Sequence, residues 1–146
     1  MTLLYADTSA LARAYLPDQP EHDRMRSLLL ETGPPVVTSE IAAVELSAAI
    51  TAAARAGRIQ DARRTLRRID ADVSRDAIAL LPLRPARVFP VARRLIAAHA
   101  LYAADAIHLA VALRETPGLS NDGVTLVTHD RRQVAAARAE GLAVWE

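Results

Sequence analysis

The sequence contains no cysteine and no lysine. Without cysteine there are no disulfide bonds and no thiolate metal sites, a composition typical of a reducing cytoplasm. No run of about 18 or more uncharged apolar residues occurs, so we expect no transmembrane helix. The first residues, Met-Thr-Leu-Leu-Tyr-Ala-Asp, also lack the basic start and long apolar region of a secretory signal. The sequence therefore predicts a soluble cytoplasmic protein.

The length and composition favour one globular domain. The chain has 146 residues, of which 51% are hydrophobic, enough for a substantial core, and we expect a single domain over residues 1–146. The net charge of +1 favours no class of partner, but between Arg55 and Arg75 seven arginines stand against three aspartates, an excess of four positive charges. This segment is either a surface that faces phosphates or a solvated helix face.

Strand-like and helix-like segments alternate along the chain. Short apolar runs predict five strands, at residues 3–6, 36–38, 78–83, 124–128 and 142–145. Between them the pattern predicts helices, including a long one that Thr38 or Ser39 would cap and one in which Pro90 marks a late start or a kink. This alternation indicates an α/β fold: a mostly parallel five-stranded sheet with helices on both faces, in three α/β/α layers.

Two aspartates come directly after predicted strands. Asp7 follows the apolar run 3–6 and precedes helix-like sequence. Asp130 follows the run 124–128 after one intervening residue, His129, and also precedes a helix. Aspartate is a favoured helix N-cap, which alone accounts for either residue. The carboxyl ends of parallel strands are also where open α/β sheets bind ligands. Asp7 and Asp130 are therefore candidate site residues.

Glu45 is predicted to lie on an apolar face of its helix. At about 100° per residue its angular neighbours are Ile41, Ala48, Ala49 and Ala52. Glu40 belongs instead to a polar stripe, where solvent and the helix dipole explain it. A carboxylate that faces the sheet costs several kcal/mol unless something compensates its charge. Glu45 therefore either rims the core and reaches water or belongs to a functional site.

Asp105 and His108 are the only polar side chains between Ala103 and Leu113. A helix that is apolar on all sides is predicted to be buried, so a charge on it needs a reason. Asp105 could cap the helix or pair with His108, three residues further on. A buried charge without an arginine partner is more often functional. For His108 we expect a position at the core edge, satisfied by a hydrogen bond.

The four candidate acids are predicted to converge at one edge of the sheet: Asp7, Glu45, Asp105 and Asp130. Converging carboxylates repel one another unless a cation compensates them. An all-oxygen ligand set selects Mg²⁺ or Mn²⁺ over zinc. One or two such ions can promote hydrolysis of a phosphodiester. Three hydroxyl side chains are expected to orient the acids by hydrogen bonds: Thr8, Ser9 and Thr128.

Four segments that contain these acids resemble, in their order and spacing, the PIN domain family, and most closely the VapC-type toxins of bacterial type II toxin–antitoxin pairs. They are Tyr5–Leu11, Glu45-Leu46, Asp105–Ala110 and Thr128–Asp130. The resemblance spans essentially the whole chain. It implies a five-stranded α/β/α fold and an endoribonuclease, dependent on Mg²⁺ or Mn²⁺, that cuts tRNA or ribosomal RNA. It further implies a homodimer, a VapB-type antitoxin that docks near the acidic site, and four acids that are both metal ligands and catalytic residues: Asp7, Glu45, Asp105 and Asp130.

Other classes fit less well. A phosphatase of the haloacid dehalogenase type also has an aspartate after its first strand, but it needs a second acid two residues on, where this chain has Ser9, and a phosphate-binding lysine, which this chain lacks. A receiver-like phosphoacceptor fails on the same missing lysine. The alternative that stays open is a non-catalytic PIN module that binds RNA or a protein without cutting.

Overall fold

The structure, a computed structural model, describes residues 2–146, and five strands alternate with seven α-helices within them. The strands are β1 (Leu3–Ala6), β2 (Val36–Ser39), β3 (Ala79–Leu81), β4 (Val124–Val127) and β5 (Ala143–Val144). The helices are α1 (Thr8–Tyr15), α2 (His22–Arg26), α3 (Ile41–Arg55), α4 (Ala62–Ser74), α5 (Pro85–His99), α6 (Ala103–Glu115) and α7 (Arg131–Ala139). A π-helical segment, Ser27–Glu31, continues α2.

All five strands are parallel and lie in the order β3-β2-β1-β4-β5. The order reverses at β1, which has β2 on one side and β4 on the other. In open parallel sheets the crevice at the carboxyl ends of the strands beside such a reversal is the usual ligand site. Ala6 of β1 pairs with Val127 of β4, so the residues that follow them, Asp7 and Thr128, leave the sheet side by side.

Helices cover both faces of the sheet, which confirms the predicted three-layer α/β/α architecture. Side chains alternate along a strand, so β1 contributes to two cores. Leu4 and Ala6 pack with α1, α2, α3 and α4. Leu3 and Tyr5 pack with α5, α6 and α7. Because β1 is the central strand and is buried along its whole length, the residues that follow it lie at the centre of the sheet edge.

Two predicted helix starts are wrong in detail. Thr38 and Ser39 belong to β2, and the N-cap of α3 is Glu40, although the Ser39 hydroxyl accepts a hydrogen bond from the amide of Ile41 at 3.3 Å. Helix α5 begins at Pro85, so Pro90 lies inside the helix. Of the two alternatives for Pro90, the late start is wrong and the kink stays a prediction. Proline fits the first helical turn because its missing N–H would have no partner there, and Pro85 already fills that place.

Within residues 2–146, no single helix is long and apolar enough to cross a membrane. Helices α5 and α6 reach that length and composition only when they are counted together, across a bend of 120°.

Candidate metal centre

Asp7 lies at the carboxyl end of β1, and three donors hold its buried carboxylate. It is the N-cap of α1, and its Oδ1 accepts hydrogen bonds from the Ala10 amide at 3.0 Å and the Ser9 hydroxyl at 2.6 Å. Its Oδ2 accepts one from Thr128 at 2.5 Å. The capping prediction is thus correct, and two of the three hydroxyls expected to orient the acids, Ser9 and Thr128, donate to Asp7.

The segment after β4 links Asp130 to two of the other acids. Asp130 caps α7 by accepting from the Gln133 amide at 2.9 Å, and its own amide donates to the Thr128 hydroxyl at 3.1 Å. The buried side-chain amide of Gln133 donates to the carbonyl of Asp105 at 3.1 Å. Sequence reasoning did not identify Gln133, because a glutamine early in a polar helix gives no signal. Its contacts fix the start of α7 against the start of α6.

Glu45 lies at the edge of the buried stripe of α3, where 31% of its side chain is exposed. The prediction of an apolar face around it is partly wrong: Ala48 and Ala52 are exposed, and the core stripe consists of Ala42, Leu46, Ile50 and Ala53. Its Oε1 accepts from the Thr8 hydroxyl at 2.9 Å and from His108 Nε2 at 2.6 Å. Burial raises the pKa of Glu45, but the hydrogen bonds and charge of His108, with Thr8, outweigh burial and hold it below its usual value.

Asp105 is the third residue of α6, and neither of the structural explanations considered for it holds. Tyr102 is the N-cap of the helix, and His108 bonds Glu45 and not Asp105. Within residues 2–146, no donor hydrogen-bonds the half-buried carboxylate of Asp105. Burial, followed by the negative charges of Asp130, Asp7 and Glu45, raises the pKa of Asp105 to about 6, against a smaller opposing effect of His108. The other three acids therefore lie within electrostatic reach of Asp105.

The chemistry of these side chains fits a hard divalent cation, although the carboxylates are not drawn together. Among the described residues, no three Asp, Glu or His side chains stand close enough to form a ready cation cage. At three of the acids, protein donors hold the carboxylates in place: Asp7, Asp130 and Glu45. Asp105 has repelling neighbours and no donor, which is the situation that an added cation relieves.

Three of the seven arginines between Arg55 and Arg75 contact other residues. Arg58 pairs with Asp18 at 2.6 Å and Arg75 with the buried Asp72 at 2.7 Å. Arg68 lies over the ring of Tyr15, 6.0 Å from its centre. Within the described part of the chain, the exposed side chains with no ion pair on α4 include Arg63, Arg64 and Arg67. Three of the seven arginines are thus engaged in the fold, and α4 carries exposed arginines without an ion pair.

Comparison with known proteins places the whole chain in one family. The sequence model of the PIN domain matches residues 4–139. The crystal structure of FitAcB from Neisseria gonorrhoeae is similar, with a TM-score of 0.60 and 20% identity over 98% of this chain and 96% of that chain. The structure of VapBC2 from Rickettsia felis bound to a DNA fragment from their promoter gives a TM-score of 0.63 and 15% identity over 99% and 98%. No curated protein sequence matches the chain significantly. At these identities the two structures show a shared fold.

Proposed function

This chain belongs to the PIN domain family, and from that premise we propose that it is a metal-dependent endoribonuclease, the VapC-type toxin of a toxin–antitoxin pair. PIN domains are generally nucleases that use divalent metals. The finer proposal is that this chain, as a single domain over residues 1–146, hydrolyses phosphodiester bonds of tRNA or ribosomal RNA in the cytoplasm with Mg²⁺ or Mn²⁺.

One observation carries the proposal: burial, followed by the negative charges of Asp130, Asp7 and Glu45, raises the pKa of Asp105 to about 6 at the sheet edge where the strand order reverses. Like charges repel and burial disfavours ionisation, so a half-buried carboxylate near other carboxylates lowers the stability of the fold. Without a function, such a residue would only destabilise the protein. Perturbed pKa values of this origin cluster at functional sites. The alternative of a non-catalytic module gives no reason to keep a half-buried carboxylate without a donor within electrostatic reach of three others.

The residues that would hold the cation are Asp7, Glu45, Asp105 and Asp130. When bound, a divalent cation neutralises charge at the phosphate and makes water a better nucleophile. The chain's own part is orientation. Ser9 and Thr128 fix the two oxygens of Asp7, and Thr8 fixes one oxygen of Glu45. Asp105, with no donor, is the acid most free to turn toward an ion or a substrate water.

We also propose two protein partners, a VapB-type antitoxin and a second copy of this chain. The antitoxin is supported by the fold shared with FitAcB and VapBC2. The homodimer is supported by large apolar side chains that lie exposed on α5 and just before α6: Phe89 at 41%, Ile96 at 38% and Tyr102 at 67%. Exposed apolar patches of this kind mark interaction surfaces. Sedimentation at several protein concentrations measures the dimer directly.

The test of the nuclease is cleavage of total cellular RNA by the purified chain with Mg²⁺, with Mn²⁺ and with EDTA. We expect discrete fragments that require metal, and we expect Asp7→Asn to abolish them. The matched control is Asp70→Asn, which makes the same chemical change at an exposed position of α4 and should cleave normally.

Two results would contradict the proposal. Fragments that persist in EDTA and in Asp7→Asn would come from a contaminating nuclease or another site. If the folded, metal-loaded protein cleaves neither tRNA nor ribosomal RNA, the non-catalytic PIN module that binds RNA or protein becomes the better description.

A further inference from the structure

A chain of buried polar side chains runs from the central strand to Glu45. The Tyr5 hydroxyl lies 2.9 Å from His108 Nδ1, and His108 Nε2 lies 2.6 Å from Glu45 Oε1. Tyr5 is fully buried, at 0% exposure, and His108 is 1% exposed. Tyr5 belongs to β1 and His108 to α6, whereas Glu45 belongs to α3 in the opposite helical layer. The contact therefore joins the two layers at the carboxyl edge of the sheet.

Contacts on both sides hold the imidazole ring of His108. Its ring packs edge-on against Tyr5, with the ring centres 5.9 Å apart and the planes at 72°. An ionised carboxylate only accepts hydrogen bonds, so Nε2 must donate to Glu45. The Tyr5 hydroxyl can donate or accept a hydrogen bond, so it can pair with Nδ1 whichever of the two atoms carries the proton. Both ring nitrogens are thus used, and the imidazole is held in place from behind.

The two carboxylate oxygens of Glu45 differ in their hydrogen bonds. Both of its donors, Thr8 and His108, contact the same oxygen, Oε1, and Thr8 also lies 3.2 Å from His108 Nε2. Within residues 2–146, Oε2 receives no hydrogen bond. Asp7 differs, because protein donors occupy both of its oxygens. Glu45 is therefore a carboxylate with one oxygen clamped and the other left available.

We propose that His108 is a positioning residue: with Tyr5 behind it and Thr8 beside it, it clamps Oε1 of Glu45 so that Oε2 is presented to the divalent cation. The inference rests on the proposed metal centre and adds to it a residue outside the four acids. A half-exposed glutamate without this clamp samples several rotamers and loses side-chain entropy when it binds an ion. Partners that orient a ligand in this way typically change metal affinity by about 10- to 100-fold when they are removed.

The competing explanation is that the same contacts only stabilise the fold. Removing a buried hydrogen-bond partner lowers stability whatever its purpose, so stability does not separate the two roles. Metal affinity does, because a purely structural role would leave it unchanged in a variant that still folds. The experiment therefore measures Mn²⁺ binding to the full chain by titration calorimetry, with circular dichroism as the check on folding.

Four variants and one control test the clamp. Tyr5→Phe removes only the hydroxyl behind the imidazole, and Thr8→Val removes the second donor to Glu45. His108→Leu removes the donor at Nε2, whereas His108→Gln keeps a donor there. The control is Thr116→Val at the C-cap of the same helix, which loses a buried hydrogen bond of 2.5 Å to the Ala112 carbonyl but has no contact with the acids.

We expect Mn²⁺ affinity to fall about 10- to 100-fold in His108→Leu, by smaller factors in Tyr5→Phe and Thr8→Val, and least in His108→Gln. Thr116→Val should bind as the wild type does. In RNA cleavage, His108→Leu should need more Mn²⁺ for half-maximal rate and recover its kcat at saturating Mn²⁺, with an unchanged KM for RNA.

The outcomes separate this inference from the proposed function. If the wild type binds Mn²⁺ and the folded His108 variants bind it equally well, the clamp is refuted; should both His108 variants unfold, equal affinity in Tyr5→Phe and Thr8→Val refutes it. If the variants bind Mn²⁺ more weakly but no RNA is cut, the clamp stands and the nuclease proposal fails. If the wild type binds no Mn²⁺, both fail together.

Discussion

Replacing Asp105 by asparagine should make the cation-free protein more stable at neutral pH. Burial and the neighbouring carboxylates raise the pKa of Asp105 to about 6. The ionised side chain of Asp105 therefore lowers the free energy of unfolding. Asparagine has nearly the same shape and no charge, so the substitution removes this cost. The same substitution should abolish RNA cleavage, because it removes a proposed ligand.

The size of the effect follows from the pKa of Asp105. A rise from 3.8 to about 6 would correspond to about 3 kcal/mol for a fully buried group. The side chain is only half-buried, so solvent screening reduces the effect, and we expect about 1–1.5 kcal/mol. For a chain of this length, 1 kcal/mol changes Tm by about 2–4 °C.

The stability gained in Asp105→Asn should depend on pH, and this dependence identifies its cause. Below pH 3.8 Asp105 is protonated in both the folded and the unfolded state and costs nothing. Between pH 3.8 and about 6 the folded state binds more protons than the unfolded state, so stability falls as pH rises. Above about 6 the full cost is present. The advantage of Asp105→Asn should therefore be larger at pH 7.5 than at pH 4.5.

The measurement is urea unfolding at both pH values in EDTA and again with Mn²⁺. The wild type should gain more stability from Mn²⁺ than the variant, because an ion that binds only the folded state stabilises it. Asp70→Asn, at an exposed position, should stay within about 0.5 kcal/mol of the wild type. If Asp105→Asn is less stable than the wild type at pH 7.5, Asp105 is a structural residue and the reasoning is refuted.

Two further changes have defined outcomes. Alanine at four arginines of α4 should weaken RNA binding and flatten its salt dependence, measured by fluorescence anisotropy; an unchanged salt slope would return α4 to a solvated surface. Those four are Arg63, Arg64, Arg67 and Arg68. Gly33→Ala should destabilise the protein by about 2–3 kcal/mol in urea unfolding, because the added Cβ would lie 1.8 Å from the backbone carbonyl oxygen of Leu28. Gly57→Ala is its comparison: no atom lies within 4 Å of that Cβ, so only the strain of a positive φ, about 1 kcal/mol, is expected. Equal losses in the two variants would contradict the clash at Gly33.

The sequence predicted the strand-acid-helix units well because their chemistry is local. An apolar run followed by aspartate, at Asp7 and at Asp130, specifies both the end of a strand and the cap of the next helix, and both caps are present. Helix periodicity was a weaker guide. It placed Glu45 on an apolar face that is partly solvent-exposed, since an alanine-rich helix hardly distinguishes its buried stripe from its exposed one.

By itself the sequence determined the α/β class and the three layers, because these depend on the alternation of strands and helices. It also singled out the four candidate acids, by capping chemistry and by charges placed in apolar segments. Only the tertiary structure decided which groups meet. His108 and Glu45 are 63 positions apart, and Gln133 reaches Asp105 across 28. Which side chain holds which carboxylate depends on strand order and register, which bring helices from both faces to one edge of the sheet. No local sequence pattern encodes these contacts, because the packing of the whole chain brings the side chains together.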